Sequence, residues 1–512
     1  MNLFNNIKSV ILRMFRVDEQ MHNKLDNYLN GTTIYDLYNI YDAWSIADSR
    51  ILSETYKTVN TSMNNSFWNT ESNRNLCKRT TAISKVVLDA LVNIVTENYN
   101  GIVIDNEKYA NIWKDIEKQN DFFDLLMKAV KQSLVLGGGA FKITFDSDKS
   151  EFPALSFVSY KKCLVEYDNK ELSKITFFDR VYYKNDNKYI LHEIYEKGKI
   201  SYKLFNDDDT EVSLTTLEQT SNLKDIEFTD KNFIAAVHYK IIDSSRYEGL
   251  GSSIYESKLD ILDALDETFT NYMLTIRLSA PKIFISEDCY KIDPKSGRRK
   301  IRDTIFNPFF VLSNQNPLEG NSKIQLVQST LNSDEYGKTM SQLISLFCAD
   351  LISLSTINLN IENTSLITSE SGEAIREKEK QTLYTINKIK NSLFNILPQL
   401  VVTILSLYDM INNRKTKISE SDITVDFSDY INPSLESKIE TIKKGTKDMI
   451  LLTPEEVVDE LYGYTLTDEE KEKLTEKLYI LNYNVKSIDE LIAKKQSENT
   501  INNNVILKKE DY

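Results

Sequence analysis

The chain has 512 residues, with 62 Lys and Arg against 76 Asp and Glu, a formal net charge of −14, and only 3 His and 4 Cys. That length supports large cores and several structural units, and the acidic balance argues against a tight nucleic-acid binder, because affinity for phosphates comes from Lys and Arg. Glycine and proline number only 14 and 8, far below the roughly 12% that an average protein devotes to the pair, which disfavours a turn-dense all-β fold and favours long helices.

The cysteines at 77, 163, 289 and 348 have no short spacing, so a zinc ribbon and a redox CxxC are both unavailable. Buried or free thiols in a reducing cytoplasm are expected. His22, His192 and His238 are equally scattered, which argues against a histidine-based metal or catalytic site, and no cofactor is expected.

In chain order, Leu3, Phe4, Ile7, Val10, Ile11, Met14 and Phe15 recur at helical spacing with Lys8, Arg13 and Arg16 between them. This reads as an amphipathic helix without the apolar core of a signal peptide. Helices are predicted over 35–47, over 80–99 with Ala82, Ile83, Val86, Val87, Ala90, Leu91, Ile94 and Val95 facing a core, and over 122–136, stopped by Gly137-Gly138-Gly139. A strand over 140–145 changes the period, and alternating segments follow at 154–158, 174–183, 188–195, 200–205 and 233–241, the pattern of antiparallel hairpins.

From Ser253 to Ser279 the chain reads as one helix, with a capping box at Ser253 and Glu256 and an apolar stripe of Tyr255, Leu259, Leu262, Leu265, Phe269, Tyr272 and Ile276. Strands are predicted at 282–285, 309–312 and 323–327, and a helix over 334–353. A polar loop over 356–371 leads to a very long helix from Gly372 to about Met410, with Pro398 as its kink. Its most apolar part, 393–411, is interrupted by Asn395, Pro398, Gln399 and Asp409, so no transmembrane segment is expected. Beyond 433, two capped segments begin at Thr453 and Thr467, and the Asn- and Lys-rich end is expected to fray. The fold class is α+β and predominantly helical.

Four features invite chemistry. Gly137-Gly138-Gly139 stands between a helix and a strand, the reverse of a phosphate loop, and reads as a helix terminator. Gly249-Leu250-Gly251-Ser252-Ser253 lacks the third glycine of a dinucleotide loop, and the capping box accounts for it. Asp260, Asp263, Asp266 and Glu267 have no Glu-x-x-His partner and read as a helix surface facing solvent or a lumen. Lys295, Arg298, Arg299, Lys300 and Arg302 surround a Ser-Gly turn, either as a solvated hairpin tip or as a contact for DNA phosphates or an acidic protein. No catalytic triad or nucleophile elbow emerges.

The ordered features from about 30 to 480 resemble bacteriophage portal proteins, the head-to-tail connectors of tailed phages of Gram-positive hosts. The residues that carry the resemblance are Gly137-Gly138-Gly139 with the strand after it, Tyr247 to Ser253 leading into Leu262-Asp263-Ala264-Leu265-Asp266-Glu267-Thr268, the exit from Arg277 to Ile285, and Ser369 to Arg376 opening the long helix. The resemblance implies a non-enzymatic dodecameric ring at one capsid vertex of the virion, assembled in the host cytoplasm with major capsid and scaffolding proteins. Double-stranded DNA passes through such a ring, the terminase large subunit docks on it, then adaptor or head-completion proteins; no membrane takes part.

By position, 1–252 resembles the wing, 253–280 the first stem helix, 281–333 the clip and 334–355 the second stem helix. Residues 356–371 resemble the tunnel loop, 372–432 the kinked wing helix and strand, 433–485 the crown, and 486–512 a flexible tail. The implied DNA-facing residues are Asn358, Asn360, Asn363 and Thr364, short and neutral. The implied terminase or adaptor contacts are Lys295, Arg298, Arg299, Lys300 and Arg302. Two alternatives are a ring of a phage-tail-like particle that never conducts DNA and a nucleotide-dependent enzyme. Twelve copies would carry about −168, a field that repels phosphates at Debye-length range and suits a conduit through which DNA passes without sticking.

Overall fold

The computed structural model describes residues 34–59, 66–69, 77–146, 150–168, 171–185, 187–208, 210–245, 247, 249–286, 309–312, 324–328, 332–357 and 379–428, together with 458, 471, 473–475 and 477. The amphipathic 3–15 segment, most of the capped segments beyond 433, and the opening of the long helix at 372–378 lie outside the described residues. The chain divides into two compact units, 1–364 with 379–430, and 365–378 with 431–512. In the second unit the described residues are helical and Val458 is buried.

The first unit opens with α1 (Ile34–Ile46), whose Leu37, Tyr38, Ile40, Tyr41 and Trp44 are buried. Helix α2 (Ser49–Thr58) follows, capped by the Asp48 carboxylate, which accepts from the backbone of Arg50 and Ile51. Helix α3 (Ile83–Glu97) is shorter than its periodicity suggests. Its N-cap, Ala82, has φ 57, and Tyr99 already belongs to strand β1 (Tyr99–Ile104). Val86, expected in the core, is 46% exposed, while Leu88 and Val92 are buried. Helix α4 (Glu107–Gln119) starts on Asn106 and α5 (Phe122–Leu136) ends on Gly137 at φ 88, as the triple glycine predicts.

Strands β2 (Gly138–Thr144), β3 (Ala154–Ser159) and β10 (Ala236–Lys240) form one antiparallel sheet with β2 in the centre. Strands β4 (Cys163–Asp168), β5 (Glu171–Lys184), β6 (Asn187–Glu196), β7 (Lys199–Asn206) and β8 (Glu211–Val212) form the expected meander, and β9 (Ile226–Glu227) pairs with β7. The two sheets meet across a buried ion cluster. Lys142 of β2, 2% exposed, lies 2.9 Å from Glu193 and 3.1 Å from Asp179, and Arg180 reaches Glu193 at 3.0 Å. Lys142 and Glu193 are buried, while Arg180 and Asp179 reach toward solvent, and the balance of two cations with two anions is what keeps the buried pair tolerable.

Helix α6 (Leu259–Leu278) begins six residues later than its pattern suggests, and β11 (Lys282–Ser286), β12 (Phe309–Leu312) and β13 (Ile324–Val327) make a small sheet ordered β12-β11-β13. Helix α7 (Ser333–Cys348) packs back on α6, and α8 (Lys380–Ile411) runs through Pro398 without interruption. Strand β14 (Ile423–Phe427) closes the unit by pairing with β1.

The apolar stretch expected to fall short of a membrane span is part of a helix that is long and apolar enough to cross one, with a mean hydropathy of 1.5 in its best window. Here Leu393, Leu397, Leu400, Val401 and Ile404 have no exposure and join the main core with α1, α3 and α5. Asn395 and Gln399 do not end the helix because tertiary burial of that face outweighs their weak local preferences.

Candidate functional site

The two glycine motifs of the sequence meet each other. Gly137, ending α5, crosses the backbone of Gly251: a Cβ on Gly137 would lie 2.8 Å from the Gly251 carbonyl carbon, and one on Gly251 would overlap the Gly137 carbonyl oxygen. Only glycine at both positions allows that approach. Gly138 and Gly139 are similarly pressed by Tyr160 and by the β3 backbone. Neither motif is an open loop awaiting a phosphate; together they form the joint from which the chain leaves the sheets for α6.

The expected capping box dissolves at this joint. Ser253 accepts from the Tyr255 backbone at 3.1 Å, and Glu256 bonds the hydroxyl of Ser252 instead. The residue at the N-cap of α6 is Lys258, with no side-chain cap. A cation at the positive end of a helix is unfavourable. Lys258 avoids the cost by pointing away, donating to the Phe347 carbonyl at 2.7 Å and to the Asp350 carboxylate, with its ammonium 5.5 Å from the centre of the Phe347 ring.

Asp263 and Asp266, expected on a surface facing solvent or a lumen, are turned inward; Asp260 and Glu267 are exposed. Asp263 accepts from the Ser66 hydroxyl and from the Phe67 backbone, both at 2.8 Å. Asp266, 1% exposed, accepts from the backbone and hydroxyl of Thr81 at 2.8 and 2.9 Å. Thr270 accepts from the Arg79 backbone at 3.0 Å. Residues 66–69 and 77–81 thus form a strap across one face of α6, because positions i, i+3 and i+7 share that face. Burial pushes the Asp266 carboxyl up to about 6, against the lowering effect of its hydrogen bonds, and burial likewise raises Asp263.

Beyond the strap, α6 has fewer neighbours. Leu262 and Leu265 are fully buried, whereas Ile276 at the far end of the stripe is 37% exposed. Tyr272 packs on Tyr336 of α7 with ring centres 5.1 Å apart. On α7 Leu346 is 58% exposed, and on β13 Leu326 is 65% exposed. This helix pair and its small sheet therefore present apolar side chains that the chain itself leaves uncovered.

The expected DNA-facing residues Asn358, Asn360, Asn363 and Thr364 lie outside the described residues, but both roots of their loop are described. The Thr382 hydroxyl accepts from the Ser353 backbone at 2.8 Å and lies 2.8 Å from that of Thr356. Thr385 donates to the Asp350 carbonyl at 3.5 Å. The start of α8 is thereby fastened to the end of the α7 segment, and Asp350 links both to Lys258. The basic residues Lys295, Arg298, Arg299, Lys300 and Arg302 also fall outside the described residues, in the connection between β11 and β12. Lys258, Thr382 and the strap were missed in the sequence. The one signal that could have found part of this is Asp266, standing between the apolar stripe of Leu262 and Leu265 and the polar positions Asp263 and Thr270.

The family described as "Phage portal protein, SPP1 Gp6-like" matches residues 21–478. No curated protein matches the chain. Among solved structures, a chain from the neck of a native GTA particle, computed with C12 symmetry, is similar at 9% identity with a TM-score of 0.38, covering 77% of this chain and 89% of that one. A second, from the neck of an empty GTA particle computed with C6 symmetry, has 9% identity and a TM-score of 0.39, covering 81% and 92%.

Proposed function

Because the chain belongs to the SPP1 Gp6-like family of phage portal proteins, whose members are structural rather than enzymatic, we infer that it forms a dodecameric ring at one capsid vertex. Double-stranded DNA enters and leaves through the ring, terminase docks on it during packaging, and adaptor proteins replace terminase afterwards. The single observation that carries this reading is the extent of the family match, which runs from before α1 to beyond β14.

In this reading α1 to β10, the long helix α8 and β14 form the wing, α6 and α7 the stem, and β11 to β13 the clip. The uncovered Ile276, Leu346 and Leu326 support it, since a ring supplies each subunit with a neighbour on either side. Asn358, Asn360, Asn363 and Thr364 would face the DNA as a low-charge lining. Lys295, Arg298, Arg299, Lys300 and Arg302 would meet terminase and then the adaptor. ATP hydrolysis belongs to the terminase partner.

End-on electron microscopy of the purified full-length protein is expected to reveal rings with a central channel. A monomeric mass under all assembly conditions would overturn the reading. For the loop assignment, deletion of residues 358–364 is expected to leave rings intact and abolish DNA filling in a packaging assay, and unimpaired filling would remove those residues from the channel.

A further inference from the structure

Beneath the crossing of Gly137 and Gly251, His238 of β10 is held between two tyrosine hydroxyls. Its Nε2 is 2.5 Å from the Tyr160 oxygen and its Nδ1 is 2.5 Å from the Tyr167 oxygen. The Tyr160 oxygen also accepts the backbone N–H of Gly251 at 3.3 Å. His238 and Tyr160 are 7% and 3% exposed, whereas Tyr167 is 40% exposed. The chain Gly251, Tyr160, His238, Tyr167 thus runs from the joint outward to water.

A neutral imidazole offers one donor and one acceptor, so the two tyrosines must play opposite parts. If Nε2 carried the proton, the Tyr160 oxygen would accept twice, and its own proton would be buried with no further acceptor among the described residues. With the proton on Nδ1 every buried group is satisfied. Gly251 donates to Tyr160, Tyr160 donates to Nε2 and Nδ1–H donates to Tyr167, which leaves the spare proton on the more exposed of the two tyrosines. Burying an unmade donor is costly, which selects the second arrangement.

We propose that His238 is fixed as the neutral Nδ1–H tautomer and acts as an acid-sensitive keystone of the joint between the sheets and α6. Addition of a solvent proton to the Nε2 lone pair replaces the Tyr160 O–H···Nε2 bond with an N–H aimed at the same oxygen. The Tyr160 proton is then stranded in the interior beside the Gly251 crossing, a buried donor left unmade. The charged and titratable groups around the relay are few. Lys240 lies on the same strand, Asp243 follows it with Lys388 of α8 acting on it, Cys163 of β4 lies near Tyr160, and Tyr38 of α1 stacks on Tyr160 at 6.3 Å. Burial and Lys240 lower the imidazole to about 3, against the opposing pull of Asp243. The folded value lies below the unfolded one, so the stabilisation is present above about pH 6.5 and is lost as pH falls from there toward 3.

The chain contains three histidines, so selective 15N-histidine labelling of the full-length protein gives three imidazoles, and His22→Gln and His192→Gln variants identify that of His238. Solid-state 15N spectra at pH 7.5 are expected to have His238 protonated at Nδ1 and bare at Nε2, unchanged down to pH 5. An Nε2–H signal, or titration near 6.5, overturns the proposal. Thermal unfolding between pH 8 and 4 is expected to fall more steeply for the natural chain than for His238→Gln, and equal slopes also overturn it. Should that variant not fold, Tyr160→Phe removes the hydroxyl whose proton would be stranded. It is expected to raise the pH at which His238 titrates; an unchanged titration counts against the keystone. The proposal stands on the geometry of one chain, so its failure leaves the portal reading untouched.

Discussion

Asp266 is a carboxylate that the fold has placed where a carboxylic acid would sit more comfortably. Its value of about 6 in the folded chain lies above the ordinary 3.8, so the folded state holds the proton more tightly than the unfolded state. Stability from this group is therefore full below about pH 4, declines as pH rises through 6, and stays lower above that. The gap between 3.8 and about 6 corresponds to roughly 3 kcal/mol as an upper bound. Asp266→Asn keeps an acceptor for Thr81 and removes the charge. Urea unfolding at pH 8 is expected to find the variant more stable than the natural chain by roughly 1–3 kcal/mol, with the difference vanishing near pH 4. The sequence could not announce this burial, because a strap joins α6 to a segment 185 positions away, and no local pattern encodes such a partner.

At the scale of elements, helices with strong periodicity and a glycine stop were legible: α5 ends at Gly137 as expected. The start of α6 was not, because Ser253 and Glu256 match a capping box in letters while the joint engages both elsewhere. Tertiary contact there overrides a local cap whose typical contribution is only about 1 kcal/mol.

The Lys258 to Asp350 pair is lopsided, with side chains 10% and 71% exposed. Lys258→Met leaves an exposed carboxylate in water and strips the Phe347 carbonyl of its donor, and is expected to cost roughly 1–3 kcal/mol. Asp350→Ala leaves a buried ammonium with one fewer partner and is expected to cost roughly 1–3 kcal/mol. Chemical unfolding of both variants checks these costs, and an Asp350→Ala variant as stable as the natural chain would mean that Lys258 does not depend on Asp350. Gly251→Ala, which drives a methyl group into the Gly137 carbonyl, is expected to cost at least roughly 1–3 kcal/mol, seen as a lowered unfolding temperature or loss of soluble protein.

On the scale of the whole molecule, the order of helices and strands was readable because it follows from periodicity. The loop expected to face DNA was readable only as low charge, with its roots hidden in a clasp between Thr356 and Thr382. Hydroxyls of Thr, Ser and Asn are too common for such a pairing to be recognised in sequence. In the proposed ring, the net charge of −14 per chain would bear on assembly as well as on the passage of DNA. Subunits that repel one another at long range associate more readily when salt shortens the Debye length from about 30 Å at 0.01 M to 8 Å at 0.15 M. Sedimentation is expected to find the ring fraction rising with salt over that range; a falling fraction would mean that ion pairs dominate the contacts between subunits.

The pairing of β1 with β14 has a consequence in time. Asn100 and Asp426, hydrogen-bonded across these strands, are 326 positions apart in the chain. At roughly 5–20 residues per second on the ribosome, about 15–65 s pass before the second strand exists. During that interval β1 has an unsatisfied edge, and α3, α4 and α5 lack the core face of α8. The first unit therefore cannot complete itself as it emerges. It waits for the greater part of the polypeptide, and whatever shields the early helices must do so for about 15–65 s.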